Sequence, residues 1–392
     1  MYTLLSIDSL TEQDLKEFAK CKYLGPIISR SFIVPKIVAV YPTQTYTCHA
    51  SMVTGCYPDR HSIINNTVAF GSDWHWMRSD INVPILTDYL KNEGFVTASC
   101  AFPCLGGADI DYLIPEVWTE SADMDSDLAF VSEPCPTSEK ALPYYYKNKG
   151  LLDWMRTPGF DLFATSCFID IVRENKVDFA LLHLSYLDHQ KHKHGKAPKE
   201  AYDFIDAKVG QIVDMFKKEG IDNRFIILGD HGHRPIRKVF NLAKALEEEG
   251  AKDIIKVHCA CQMAMVYTSG ACKARATTLM ETLKKKYPQA IERVLDAKET
   301  KNRYHLSGDF AFTLEACDGY MCESKVGPLE READSYNVSG HGYAPEKGPF
   351  SPFVVEFLEH SPIAEMNLVD VAPTVLGLMG IKAKDMDGKN VL

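Results

Sequence analysis

The chain of 392 residues is 46% hydrophobic and 24% charged, a composition that supports a full apolar core and argues against both a disordered and a membrane-embedded protein. Its formal net charge of −10 gives no general attraction for a nucleic-acid polymer or an anionic lipid surface, so a polyanionic substrate needs local positive charge such as bound cations. No apolar run reaches the roughly 18 residues of a bilayer span. The opening MYTLLSIDSL lacks the basic start and long apolar stretch of an export signal, so a cytoplasmic protein is expected. The 12 cysteines show no zinc-ribbon spacing and read as reduced, structural thiols.

In chain order, apolar runs rich in branched residues predict strands at Thr3–Ile7, Phe95–Ala98, Asp178–Leu184, Phe225–Leu228 and Phe353–Phe357. Helical periodicity predicts helices over Leu162–Asn175, Lys199–Lys218, with Gly220 as its C-cap, and Met366–Met379. Strands alternating with helices imply an α/β fold with a mostly parallel sheet covered on both faces. Two stretches depart from this pattern. Residues ~100–150 are rich in proline, acidic groups and tyrosine (Pro134, Pro136, Pro143, Tyr144–Tyr146), and ~270–335 holds a lysine-rich helix and a strand-like pair around Gly319. Both are expected to be lid segments inserted into a single catalytic domain spanning 1–392.

Open α/β sheets bind ligands beyond the carboxyl ends of their strands, so the polar residues that follow the predicted strands are the candidates. Asp8 ends the first strand, Asp188 follows DFALLHLSYL, Asp230 and His231 follow FIILG, and His341 lies in a G-H-G loop. Asp188 and His192, four apart, share one face if helical and could grip one ion, although DHQKHKH alone reads equally as a solvated loop. A charged pair flanked by glycines directly after a buried strand, as at Asp230-His231, is costly unless a charged group binds there. Between Tyr41 and Asn66, Thr43, Thr45 and Thr47 fall at a helix start, where backbone N–H groups favour anionic oxygens; each also reads as a simple N-cap.

The segments YPTQTYTCH (Tyr41–His49) and VTGCYPDRHSIINN (Val53–Asn66) resemble those of the type I phosphodiesterase/nucleotide pyrophosphatase branch of the alkaline phosphatase superfamily. Its members carry a segment like FPTKTFPNH and then V-T-G-x-Y-P-x-x-H-G-I-x-N-N, and the Asp and His residues from Asp8 to His341 follow the family order. The resemblance implies an alkaline-phosphatase-like sheet with an inserted cap, Thr45 as nucleophile and Asn66 as the phosphate-binding amide. It assigns one metal to Asp188, His192 and His341, and the other to Asp8, Asp230, His231 and the Thr45 oxygen. His189, His194 and His233 are left over and are expected behind the ligands or at the surface. The donor types suit two Zn²⁺ ions, with Mn²⁺ or Fe²⁺ as alternatives. The implied chemistry is hydrolysis through a covalent phospho-threonine, with retention at phosphorus, while Asn66 and the Thr45 backbone N–H bind the non-bridging oxygen.

A neutral Asn66, where the superfamily's monoesterases use an arginine, favours a small nucleotide-like phosphodiester or pyrophosphate. The family's extracellular members stack the base on an aromatic two residues before the asparagine, but here that position is Ile64. Phe168, Trp74, Trp76 and Tyr144–Tyr146 are candidate replacements, with core packing as the alternative reading of each. One rival activity is that of a phosphonoacetate hydrolase, for which Lys140, Lys147 and Lys149 could bind the substrate carboxylate. A second rival, a non-catalytic metal- or nucleotide-binding protein, is opposed by the presence of all six Asp and His ligands together with the threonine.

Overall fold

The computed structural model describes residues 1–71, 73–117, 126–132, 136–153 and 158–392. Its main sheet has eight strands: β1 (Tyr2–Ile7), β2 (Ser31–Val38), β3 (Thr97–Phe102), β4 (Tyr112–Pro115), β5 (Phe179–Leu184), β6 (Arg224–Leu228), β7 (Ser351–Glu356) and β8 (Met366–Asn367). They are ordered β8-β2-β7-β6-β1-β5-β3-β4. Only β7 runs antiparallel to its neighbours. The uncharged run YTLLSI places β1 at the centre, parallel to β5 and β6, with Leu4 opposite Leu181 and Ile226. Such a run is stable only where both faces of the sheet are covered.

Alternation along β1 decides which layer each side chain enters. Leu5 and Ile7 pack with Phe163, Phe168 and Ile171 of the helix Gly159–Glu174 and with Ile205, Val209 and Ile212 of the helix Lys199–Glu219. On the other face, Leu4 belongs to a core with Met52 and Val53 of the helix Thr45–Thr54 and Val375 and Leu376 of the helix Val371–Leu378. Phe168, Tyr144 and Tyr145 lie inside the first core. This corrects their candidacy as a base clamp, because a ring already packed on all sides has no face to offer. Tyr146 is exposed, and Trp74 and Trp76 are half-buried. Among the described residues, no helix is long and apolar enough to cross a membrane. Pro134, in the first expected lid segment, lies outside them.

Two local expectations are also corrected. The helix expected from Met366 starts at Val371, because Met366 and Asn367 pair with Ile37 and Val38 as β8 and a 3₁₀ turn follows at Leu368–Asp370. Asp370 Oδ2 accepts the Asn367 N–H at 2.8 Å and so fixes that turn. The strands flanking Gly319 do not pair with each other. Phe312–Ala316 joins an antiparallel sheet with Ile291–Asp296, Met263–Thr268 and Ile255–Ala260, whereas Gly319–Glu323 pairs with Arg234–Asn241. Gly319 opens the second strand at φ +88°, a conformation open to glycine.

Residues 234–340 form a module with its own apolar cluster, including Phe240, Leu246, Val266, Met280 and Leu314. Its two ends lie side by side, since Ser339 pairs with Pro235 and Gly340 with Arg234. The module therefore departs from the loop after β6 directly after His233 and rejoins the loop before β7 directly before His341.

A buried ion pair ties the helix Tyr186–His194 to the loop after β1. Lys191 Nζ donates to Ser9 O and to Asp14 Oδ2, both at 2.6 Å, and Asp14 also accepts from the Thr11 N–H and the Tyr202 hydroxyl, both at 2.8 Å. Burial alone would raise the Asp14 carboxyl, but the Lys191 charge and these hydrogen bonds outweigh it and hold the group below its ordinary range. A depressed folded-state value stabilises the fold above the unfolded pKa of about 3.9, and that contribution fades as pH falls below it. Lys191→Met strands the carboxylate and is expected to lower stability at pH 7 by about 3–5 kcal/mol in urea denaturation. Adding Asp14→Asn should recover part of the loss; a double variant no more stable than the single one would show that the pair is not what matters.

Candidate metal centre

Parallel strands end at one edge of the sheet, so the residues that follow them converge. Asp8 follows β1, Asp188 sits in the first turn of the helix after β5, and Asp230-His231 comes just past β6. Gly229 permits that approach, because a Cβ there would lie 2.4 Å from Leu10 O. Asp230 Oδ1 accepts the backbone N–H groups of Ser9 and His231, each at 2.9 Å. Asp230 Oδ2 and Asp8 Oδ1 are buried without a hydrogen-bond partner.

The structure brings the predicted Asp and His residues into two groups, Asp8 with Asp230 and His231, and Asp188 with His192, His341 and also His233; the donor atoms of each lie within 4.8 Å of one another. His231 Nε2 is 3.2 Å from Asp230 Oδ2 and 3.7 Å from Asp8 Oδ1. His192 Nε2 is 3.5 Å from Asp188 Oδ2. The groups adjoin where the His231 and His341 rings stack at 4.0 Å. Thr45, the first residue of its helix, puts Oγ1 3.2 Å from His231 Nε2. Asn66 is half-buried, and its Oδ1 accepts the Tyr46 N–H at 2.9 Å. The amide NH₂ of Asn66 is thereby left as the end that can donate.

Burial, reinforced by the charges of Asp230, Asp188 and Glu116, pushes the Asp8 carboxyl well above its ordinary range, and burial pushes Asp230 up as well. Burial holds His231 down to about 4 and His341 well below its usual value. A neutral imidazole is the form with a lone pair to share. Among the described residues, the ion-pair partners of Asp8, Asp188 and Asp230 are histidines alone. Partnerless carboxylate oxygens beside neutral imidazoles fit divalent cations, which would replace the lost hydration.

Three histidines of the site stand outside the expected ligand set. His233 is buried in the Asp188 group, and the cue was its spacing of two from His231, which in extended backbone returns to the same side. His49 and His183 form a relay behind the Asp8 group. His49 Nδ1 donates to Thr45 O at 2.8 Å, so its Nε2 accepts the Ser6 hydroxyl at 2.8 Å, and Ser6 Oγ accepts from His183 Nδ1 at 3.2 Å. His183 Nε2 then faces Asp8 Oδ2 at 3.4 Å. The cue for His183 was a lone imidazole in an otherwise apolar strand.

The remaining expected residues lie elsewhere. His189 meets the Tyr336 hydroxyl at 3.1 Å, and His194 is exposed. Ile64 packs against the cluster containing Met263 and Phe310. Lys140, Lys147 and Lys149 pair with Asp111, Asp170 and Asp127.

A model of the family described as type I phosphodiesterase / nucleotide pyrophosphatase matches residues 2–343. Ectonucleotide pyrophosphatase/phosphodiesterase family member 1 of Rattus norvegicus is 24% identical over 282 residues, covering 68% of this chain and 26% of its own length. The venom phosphodiesterase of Macrovipera lebetinus is 23% identical over 209 residues, covering 50% of this chain and 21% of its own length. The chain thus spans about a quarter of the length of these curated relatives.

Among solved structures, human ectonucleotide pyrophosphatase/phosphodiesterase 5 superposes with a TM-score of 0.70 at 16% identity, covering 100% of this chain and 98% of that one. An inactive form of the murine protein in complex with AMP gives 0.69 at 15%, with coverage of 100% and 98%. Phosphonoacetate hydrolase from Sinorhizobium meliloti 1021 in complex with phosphonoacetate gives 0.72 at 18%, covering 94% and 93%. These likenesses show the fold, an alkaline-phosphatase-like α/β sheet.

The donor geometry predicts that stripping divalent ions with a chelator lowers Tm by several degrees and that Zn²⁺ restores it. Ions at about 100 times their Kd contribute roughly 2.7 kcal/mol per site. A melting curve indifferent to both chelator and Zn²⁺ would contradict the assignment.

Proposed function

The chain belongs to the type I phosphodiesterase/nucleotide pyrophosphatase family, and on that premise we propose that it hydrolyses a phosphodiester or pyrophosphate bond in a small nucleotide-like substrate through a covalent phospho-threonine at Thr45. The observation that carries the reading is Thr45 Oγ1 at the head of its helix, 3.2 Å from His231 Nε2 where the two donor groups meet. Two divalent ions, Zn²⁺ by donor type with Mn²⁺ or Fe²⁺ as alternatives, would be held by Asp188, His192 and His341 and by Asp8, Asp230, His231 and Thr45, and would supply positive charge to an acidified hydroxyl and to the phosphoryl oxygens.

Thr45 Oγ1 attacks phosphorus and gives up its proton to solvent, while the bond from phosphorus to the departing oxygen breaks. A water oxygen then attacks the same phosphorus, and the Oγ1–P bond breaks to restore the hydroxyl. Two in-line displacements give retention. The Asn66 NH₂, steadied by the Tyr46 N–H on its other end, donates to the non-bridging oxygen as charge develops. Being neutral, it suits a phosphorus centre whose further oxygen is esterified. The AMP held by the murine relative supports a mononucleotide-sized group. We assign the lid role to the module of residues 234–340, which contains the expected segment 270–335. The free thiols of the described cysteines suit a reducing, cytoplasmic setting.

The likeness to phosphonoacetate hydrolase keeps carbon–phosphorus cleavage as a second reading, but the three lysines named for its carboxylate already pair with aspartates. With bis-p-nitrophenyl phosphate as substrate, Thr45→Ala is expected to cost at least about a thousandfold in kcat while bound metal is unchanged. Asn66→Ala should cost about 10²–10³-fold. Full activity in the Thr45 variant, or efficient turnover of phosphonoacetate alone, would sink the proposal.

A further inference from the structure

The catalytic roles argued above leave His233 without one. Its ring is buried beside Asp188, with Nε2 2.5 Å from Asp188 Oδ1 and ring centroids 4.5 Å from His192 and 5.5 Å from His341. Its neighbours fix which nitrogen points where. Ser339 Oγ lies 2.7 Å from Lys191 O, a carbonyl that only accepts, so the single hydroxyl hydrogen of Ser339 is committed there. Toward His233 Nδ1, 2.8 Å away, Ser339 Oγ is then the acceptor. Nδ1 therefore carries a hydrogen, and Nε2 is the atom aimed at the carboxylate.

The neighbouring rings repeat the pattern. His192 Nδ1 donates to Ser339 O and His341 Nδ1 to Thr43 O, each at 3.0 Å. Three imidazoles thus anchor Nδ1 on fixed oxygens outside the group and turn Nε2 inward with Asp188. Ligating histidines are commonly held in this way, with the outer hydrogen bond setting both the tautomer and the ring orientation. In a neutral ring with its hydrogen on Nδ1, an Nε2 lone pair 2.5 Å from a carboxylate oxygen is repulsive unless both atoms face a common cation.

We infer that His233 is a fourth protein donor to the ion held by Asp188, His192 and His341, and that this group retains its ion more tightly than the group of Asp8, Asp230 and His231. The inference rests on the two-cation reading of the site. Four protein donors complete a tetrahedral set, whereas three leave a position open for the Thr45 oxygen.

The test is competition of the metal-stripped full chain against a chromophoric chelator for Zn²⁺, with Co²⁺ as a spectroscopic probe of coordination. The wild-type protein is expected to bind two Zn²⁺ with separable affinities. His233→Asn should weaken the tighter site by about tenfold to a hundredfold or more, leave the weaker one in place and alter the visible Co²⁺ bands. Survival of the weaker site shows that the variant is folded. Ser339→Ala keeps the imidazole but removes its anchor, and should weaken the same site by a smaller factor. Equal affinities in wild type and His233→Asn overturn the inference, as does a weakened site with an unchanged Co²⁺ spectrum, which would leave His233 only bracing Asp188. A wild-type chain that binds no Zn²⁺ brings down the two-cation reading itself, and the inference with it.

Discussion

The site depends on two carboxylates, Asp8 and Asp230, buried side by side with one oxygen of each lacking a hydrogen-bond partner. Unpaired buried charge costs several kcal/mol even after relaxation, and the nearest basic groups are imidazoles that burial keeps neutral. Such an arrangement favours a cation seated against it. The carboxylates do not escape because the fold has removed their freedom to do so. Asp8 is fixed by the end of β1, and Asp230 Oδ1 is fixed by two backbone N–H groups.

The rest of the architecture can be understood as support for that convergence. The parallel strands β1, β5 and β6 deliver Asp8, Asp188 and Asp230 to one edge. The Lys191–Asp14 pair then ties the helix carrying Asp188 and His192 to the loop carrying Ser9. Behind the Asp8 group, the His183–Ser6–His49 relay ends on the Thr45 carbonyl, so the backbone of Thr45 is hydrogen-bonded through buried side chains to the imidazole that faces Asp8. The module of residues 234–340 is rooted between His233 and His341 through the Arg234–Gly340 pairing. Under the proposed function, cation donors therefore flank both stems of this module, His231 before it and His341 after it.

Much of the fold was legible because its signals are local. Continuous apolar runs marked β1, β5 and β6, and the polar residues after them marked the edge where the site lies. Met366–Asn367 was misread because the apolar spacing of the helix carries on into two residues that a sheet edge claims as β8. The pairing of Asp8 with Asp230, and the approach of Thr45 to His231, are long-range facts that no spacing encodes; they came from the resemblance. His233 was set aside because that resemblance offered it no role, although its spacing from His231 placed it on the same side. Phe168, Tyr144 and Tyr145 could not be told from substrate-binding aromatics until the core around them was seen.

The central claim is that these separated residues build a pair of adjoining cation sites beside Thr45, and anomalous diffraction at the zinc absorption edge from crystals grown with Zn²⁺ tests it most directly. The account predicts two peaks, one bounded by Asp8, Asp230, His231 and Thr45, and the other by Asp188, His192 and His341. No peak at this edge of the sheet, or peaks held by side chains outside these two donor groups, His233 included in the second, would contradict it.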